Sequence, residues 1–200
     1  MYQIVKPFGP TLLIFKVPQY IIDEIINYNK IYIENDHKDY LVSTNQNETT
    51  LDNNFKYYDE LCKLIYEACK SYASFYGFDK SFRIEKDEDT LKPNIWVNVM
   101  QPGDNNPPHK HKGDLSGIIY VSDNTEIYKE KHSGVEQYNQ YGKTSFITDL
   151  HDMPYNGIHY TNEGVSGDGI IFPSWLFHYV TPYKTNQQRI TIAFNLREVQ

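Results

Sequence analysis

The chain has little of what would settle its class at once. Its only cysteines are Cys62 and Cys69. They fall on one face of a helical pattern and read as small buried hydrophobes, not as part of a disulfide framework. No block of like charge appears, and the formal net charge is −7. That excludes a general nucleic-acid binder and leaves no basic patch for a membrane surface. Long apolar runs are missing too: Leu12 to Phe15, flanked by Pro10 and Pro18, is too short for a signal segment or a membrane span. There is no internal repeat and no low-complexity tract. The expectation is a cytoplasmic protein that engages neither membrane nor nucleic acid, with its oligomeric state open.

What is present suits one domain over residues 1–200, since a chain of this length buries roughly 70% of its unfolded surface without staples. Aromatics make up 15% of the residues, mostly Tyr. They are scattered, not interleaved with Arg and Lys, and read as sheet and interface material. Thr11 to Val17 predicts a strand and Pro18 to Tyr32 an amphipathic helix with Ile21, Ile22, Ile25 and Ile26 on one side. Asn35 to Asn54 reads as a polar loop. A longer helix is expected from about Asp52 to Tyr76, with Phe55, Tyr58, Leu61, Ile65, Ala68, Tyr72 and Phe75 at helical spacing and Gly77 as its stop. From Phe82 onward that periodicity gives way to short β-like runs: 94–100, 115–121, 144–148, 169–172, 178–181 and 189–196. Helices followed by many short strands is the α+β order, mainly β, here a sandwich or barrel buttressed by the N-terminal helices over 1–90, with the β core at 94–197. Residues 122–162 look least regular and suit a binding loop, with Tyr138, Tyr141, Tyr155 and Tyr160 as its aromatic wall.

The chain turns on Pro107-Pro108-His109-Lys110-His111-Lys112-Gly113-Asp114. In an extended strand the side chains at i and i+2 leave on the same face about 7 Å apart, so His109 and His111 can converge on a metal ion. A loop rich in Gly, Asn and Pro precedes the pair and a β-rich run follows, a common place for a site. The bland alternative is a surface turn. A second constellation is Phe172-Pro173-Ser174-Trp175-Leu176-Phe177-His178, followed after a hairpin by Arg189-Ile190-Thr191-Ile192-Ala193-Phe194-Asn195. Here Ile190, Ile192 and Phe194 form one face and Arg189, Thr191, Ala193 and Asn195 the other. If the second face points into a barrel, Arg189 needs an anion. His37, His132 and His159 read as ordinary surface or core histidines, and Asp149 with His151 as a loop pair.

Taken together, His-x-His, Ser-Gly-x-x-Tyr-Val, Phe-Pro-Ser-Trp-x-x-His and Arg-x-Thr resemble the Fe(II)/2-oxoglutarate-dependent oxygenases. The likeness is narrowest to a small group carrying His-x-His where the superfamily usually has His-x-Asp or His-x-Glu, and it covers about residues 94–197. It implies a distorted double-stranded β-helix, a cupin-like jelly roll. It further implies Fe(II) as metal and 2-oxoglutarate and O₂ as co-reactants, which give succinate, CO₂ and an oxidised substrate, either a small molecule or a peptidyl side chain. By the same resemblance His109 and His178 match the iron-binding histidines. Arg189 matches the partner of the distal 2-oxoglutarate carboxylate and Thr191 the associated hydroxyl. Trp96, Asn98 and Tyr120 fall where the cosubstrate pocket is lined.

His111 stands where a carboxylate is expected. Strand geometry favours it as third ligand, whereas Asp114 would point to the opposite face unless Gly113 breaks the register. Two His and one carboxylate is the usual Fe(II) face, so Asp114 is the alternative. A three-histidine site also suits zinc. A cupin-like metal-binding protein without oxygenase activity, whether isomerase, zinc hydrolase or binding module, is therefore the competing reading.

Overall fold

A computed structural model describes residues 2–5, 9–32, 48–88, 91–130, 140–148 and 159–199. Two antiparallel sheets build the β core. The larger takes β1 (Gln3–Val5), β2 (Leu12–Lys16), β10 (Asp168–Pro173), β7 (Leu115–Tyr120), β12 (Arg189–Val199), β5 (Ile95–Met100) and β3 (Glu48–Thr50) in that spatial order, and β4 (Ser81–Ile84) pairs with the far end of β12. The smaller takes β6 (Asn106–His109), β11 (Phe177–Val180), β8 (Thr144–Ile147) and β9 (His159–Asn162). Helices α1 (Gln19–Tyr32), α2 (Tyr58–Phe75) and the short α3 (Thr125–Tyr128) complete the described elements. Among them no helix is long and apolar enough to cross a membrane.

The alternation of side chains divides the core in two. The outer face of the larger sheet (Leu13, Phe15, Ile95, Val97, Val99, Leu115, Ile119, Ile171, Ile192 and Phe194) packs against Ile21, Ile22 and Ile25 of α1 and Leu61, Ile65, Ala68, Cys69 and Tyr72 of α2. This face holds most of the apolar burial, each aliphatic side chain contributing about 1.5 to 3 kcal/mol. Cys62 and Cys69 lie buried there as free thiols, as their helical spacing predicts. A smaller cluster of Leu12, Ile118, Tyr120, Phe146, Ile170, Phe172 and Leu176 packs on the inner side of the larger sheet, and beside it the interior holds a cavity.

Several expectations need correction. The first 90 residues add more than the expected helical support and one N-terminal strand: that strand is β2, but β1, β3 and β4 enter the larger sheet as well. The expected loop at Asn35 to Asn54 contains strand β3, paired to β5 with Glu48 opposite Asn98; residues 33–47 lie outside the described residues. Helix α2 begins at Tyr58, later than Asp52, since Asp52 accepts the backbone N–H of Asn54 in a local turn that competes with helix. Pro107 and Pro108 belong to strand β6, which tolerates them because β6 is the edge of its sheet. The segment expected to be irregular contains β8, β9 and α3.

Candidate active site

The register of the smaller sheet sets His178 directly opposite His109. His111 follows in the connection to β7, where its N–H donates to the Ser174 carbonyl at 2.9 Å. The three rings gather with centroids 4.3 Å apart for His109 and His178, 4.9 Å for His109 and His111, and 5.1 Å for His111 and His178. One ring nitrogen of each lies within 4.8 Å of the others. The Nδ1–H of His109 donates to the Pro107 carbonyl at 2.7 Å and that of His178 to the Leu176 carbonyl at 2.9 Å. A carbonyl only accepts, so both Nδ1 atoms carry the proton and both Nε2 atoms present a lone pair inward. His111 Nε2 lies 3.2 Å from His178 Nε2. Burial keeps all three rings neutral. It lowers the His109 pKa, and it takes His111 down to about 4 and His178 well below the usual range, with the neighbouring histidines adding to the last two shifts. Phe172 and Phe146 wall off His178 at centroid distances of 4.8 and 6.1 Å.

Asp114 does not join this group. Gly113, at φ 98°, does break the extended run, but the turn swings Asp114 toward the far end of β12, where its carboxylate accepts the Glu198 N–H at 2.7 Å. Its neighbours there are Arg83, Arg197 and Val199, away from the imidazoles.

The larger sheet supplies the opposite wall of a cavity of about 500 Å³ lined by all three histidines, a size ordinary for a small-molecule site. Arg189, Thr191 and Ala193 point into it from β12, and Trp96 and Asn98 from β5. Arg189 is 2% exposed. Its Nη2–H donates to Thr144 Oγ1 at 2.9 Å, Nη1 lies 3.6 Å from Met100 Sδ, and its guanidinium carbon sits 5.6 Å from the Tyr120 ring centre. Among the described residues no carboxylate pairs with it, and Nε has no partner. A buried unpaired guanidinium is costly, so the site calls for an anion. Tyr120 is fully buried, and Gly164 makes room for it: a Cβ there would meet the Tyr120 ring at 2.0 Å.

Some participants had no sequence signal. Thr144 meets Arg189 only because Thr144 opens β8, whose inward face is fixed by its pairing with β11. Ser116 donates to Asn195 Oδ1 at 2.7 Å and lies 2.9 Å from Ser174 Oγ, tying the turn that holds His111 to β7 and β12. Tyr141 packs beside Met100 and Tyr183, and Tyr160 beside Phe146, so neither forms a wall of the cavity. His159 bonds the Tyr179 hydroxyl at 2.8 Å. Tyr138, Tyr155, Asp149, His151, His37 and His132 lie outside the described residues.

The profile of a family described as "Putative 2OG-Fe(II) oxygenase" matches residues 94–195, the span that holds all three histidines and Arg189. The chain belongs to this family. Solved structures agree in fold. A Pseudomonas putida prolyl-4-hydroxylase superposes with a TM-score of 0.59 at 14% identity, covering 93% of this chain and 92% of that one. The non-heme alpha ketoglutarate dependent epimerase SnoN from nogalamycin biosynthesis gives 0.63 at 9% identity, over 93% and 76%. A Trichoplax adhaerens prolyl hydroxylase, solved with a hypoxia inducible factor peptide fragment, gives 0.54 at 12% identity, over 94% and 82%. Among proteins of curated function none matches the sequence. The protein is thus a 2OG-Fe(II) oxygenase with a double-stranded β-helix fold, and its cofactors are Fe(II) and 2-oxoglutarate. The donor set fits them: neutral imidazole nitrogens suit iron, and the unpaired Arg189 suits a dicarboxylate.

Proposed function

We propose that His109, His111 and His178 together hold the iron of this oxygenase and that Arg189 holds the distal carboxylate of 2-oxoglutarate, with Thr144, Thr191 and Tyr120 around it. The observation that carries this reading is the shared cavity, with three inward imidazoles at the smaller sheet and, facing them from the larger, a buried guanidinium that no carboxylate among the described residues pairs with. When bound, the iron and 2-oxoglutarate supply oxidation by O₂, in which the oxo acid becomes succinate and CO₂ and the second oxygen atom goes to the substrate.

The chain's own residues bind, orient and exclude water. The Pro107 and Leu176 carbonyls fix the tautomers of His109 and His178 so that no proton need leave before a metal enters. Three neutral ligands bring no negative charge, so the dianionic cosubstrate neutralises the metal and His₃ ligation remains compatible with it. Arg189 gives the far carboxylate a planar pair of donors, which fixes the direction of the molecule along the cavity. Phe146 and Phe172 keep the interior apolar beside His178, and a dry site strengthens these polar contacts. The rest of the cavity, lined by Trp96 and Asn98 among others, suits a small organic or peptidyl substrate.

The test is succinate formation by purified protein supplied with Fe(II), 2-oxoglutarate and O₂, with metal content and 2-oxoglutarate affinity measured beside it. One bound iron per chain and iron-dependent consumption of 2-oxoglutarate are expected. A protein that binds zinc tightly, takes no iron and ignores 2-oxoglutarate would return the assignment to a metal-binding protein of another kind.

A further inference from the structure

Strand pairing places Glu48 opposite Asn98, Asn98 opposite Thr191 and Thr191 opposite Tyr120. The four side chains stand in one row across the inner face of the larger sheet. With strands about 4.8 Å apart, Glu48 lies about 10 Å from Thr191 along that row. The row therefore runs from a cationic end at Arg189 and Tyr120 to an acidic end at Glu48, which also lines the cavity.

Nothing in the assigned chemistry uses this carboxylate. It would repel a dianionic cosubstrate, whose own cation waits at the opposite end of the row. Among the described residues no Lys, Arg or His forms an ion pair with it. The other charged groups at this end are Asp87, Lys92 and Lys110, and Lys110 turns outward, its ammonium 5.5 Å from the Phe177 ring centre on the far face of β11. Glu48 sits against Trp96, diagonally across the pairing of β3 with β5, and Trp96 in turn meets His111 at a centroid distance of 6.3 Å. A half-buried carboxylate that no cation among the described residues pairs with attracts one by charge. Burial pushes the Glu48 pKa up to about 7, with the neighbouring Trp96 side chain opposing part of the shift. This is the state of a carboxylate whose counter-ion arrives with a ligand.

We propose that Glu48 is a specificity residue of this oxygenase and pairs with a cationic nitrogen, ammonium or guanidinium, on the substrate. The paired nitrogen sits beside Trp96, and the carbon to be oxidised lies between it and the histidines. The proposal rests on the assignment of the three histidines and Arg189 made above.

The experiment uses the full chain loaded with Fe(II) and 2-oxoglutarate without O₂, and follows tryptophan fluorescence. The probes are the N-acetyl methylamides of lysine and arginine, with that of norleucine as the neutral isostere. At pH 8 at least one cationic probe should bind tenfold or more tightly than norleucine. Glu48→Gln should erase that preference while keeping metal content and holding 2-oxoglutarate affinity at or above that of the parent, which also shows that the variant is folded. The preference of the parent protein should fade below pH 7, as Glu48 takes up its proton. Equal affinity for charged and neutral probes, no binding of either cationic probe at millimolar concentration, or a preference that survives in Glu48→Gln overturns the proposal. Failure of the parent protein to bind iron or 2-oxoglutarate instead overturns the underlying site assignment, so the two failures are distinguishable.

Discussion

His109 and His178 are cross-strand partners, and each donates its Nδ1–H to a carbonyl two residues back in its own chain, Pro107 and Leu176. The edge strand β6 is thereby tied to β11 at the site itself, and both rings are locked in the tautomer a metal needs. A metal held by both rings would also tie the edge of the smaller sheet to β11.

His111 decides between the two candidate ligand sets. His111→Ala should lose iron almost as badly as His109→Ala and His178→Ala, while Asp114→Ala should keep it, because its carboxylate is engaged with the Glu198 N–H on the other side of Gly113. Metal content after dialysis against a weak chelator checks this. Iron lost from Asp114→Ala and kept by His111→Ala would reverse the assignment.

Arg189→Ala should weaken 2-oxoglutarate binding about 10 to 100-fold or more, since deleting one partner of a buried charge pair costs about 2 to 5 kcal/mol. Arg189→Lys should recover part of this, lacking the planar fork. Thr144→Val, which removes the 2.9 Å acceptor of the guanidinium, should cost about tenfold at most, the worth of one hydrogen bond. Titration of 2-oxoglutarate into iron-loaded protein reads all three. Unchanged affinity in Arg189→Ala would place the anion elsewhere.

The parts legible in the sequence are those in which local pattern and global role coincide. Alternation in 189–195 separates Arg189 and Thr191 from Ile190 and Ile192 whatever the strand's neighbours. The closeness of His109 and His111 in sequence was also informative, but β6 ends at His109, and it is the connection to β7, not strand alternation, that carries His111 to the other rings. The helical stripe of α2 likewise announces its buried face. Residues whose role depends on which strand lies beside them were not legible. Thr144 reaches Arg189 through the pairing of β8 with β11, and Glu48 enters the cavity through the pairing of β3 with β5. A three-residue strand such as β3, embedded in polar sequence, has too short a period to be recognised. For Asp114 the sequence posed the question correctly, since everything hinged on the backbone of Gly113. It could not say which way the turn would go.

Gly164 tests the packing behind the cosubstrate end. Because a Cβ would fall 2.0 Å from the Tyr120 ring, Gly164→Ala must displace Tyr120, a cost of about 1 to 3 kcal/mol for an overpacked core. In a chain of this size that lowers Tm by about 2 to 12 °C. Tyr120 is the ring under Arg189, so the KM for 2-oxoglutarate should rise as well. A Tm loss without any change in KM would mean that Tyr120 supports the fold but not the guanidinium.

Glu48 gives the stability of the metal-free protein an unusual pH dependence. Its carboxyl is raised from 4.5 to about 7 in the folded state, so between those values the native protein holds a proton that the unfolded chain has released. Stability therefore falls as pH rises through that window and levels off above it, because unfolding then releases a proton and ∂ΔG/∂pH is negative. Allowing for its partial solvent access, the loss is about 2 kcal/mol at pH 8 and above. Glu48→Gln lacks the ionisation and should be more stable than the parent by about that amount at pH 8.5, or about 4 to 8 °C in Tm, yet match it near pH 4.5. The buried histidines act in the opposite sense. Their lowered pKa values cost stability as pH drops below the ordinary histidine range, but both proteins carry them and they cancel in the difference. Thermal unfolding of the pair across this pH range reads the Glu48 contribution alone. A difference in Tm that stays constant with pH would place the Glu48 carboxyl in solvent and remove it from the cavity.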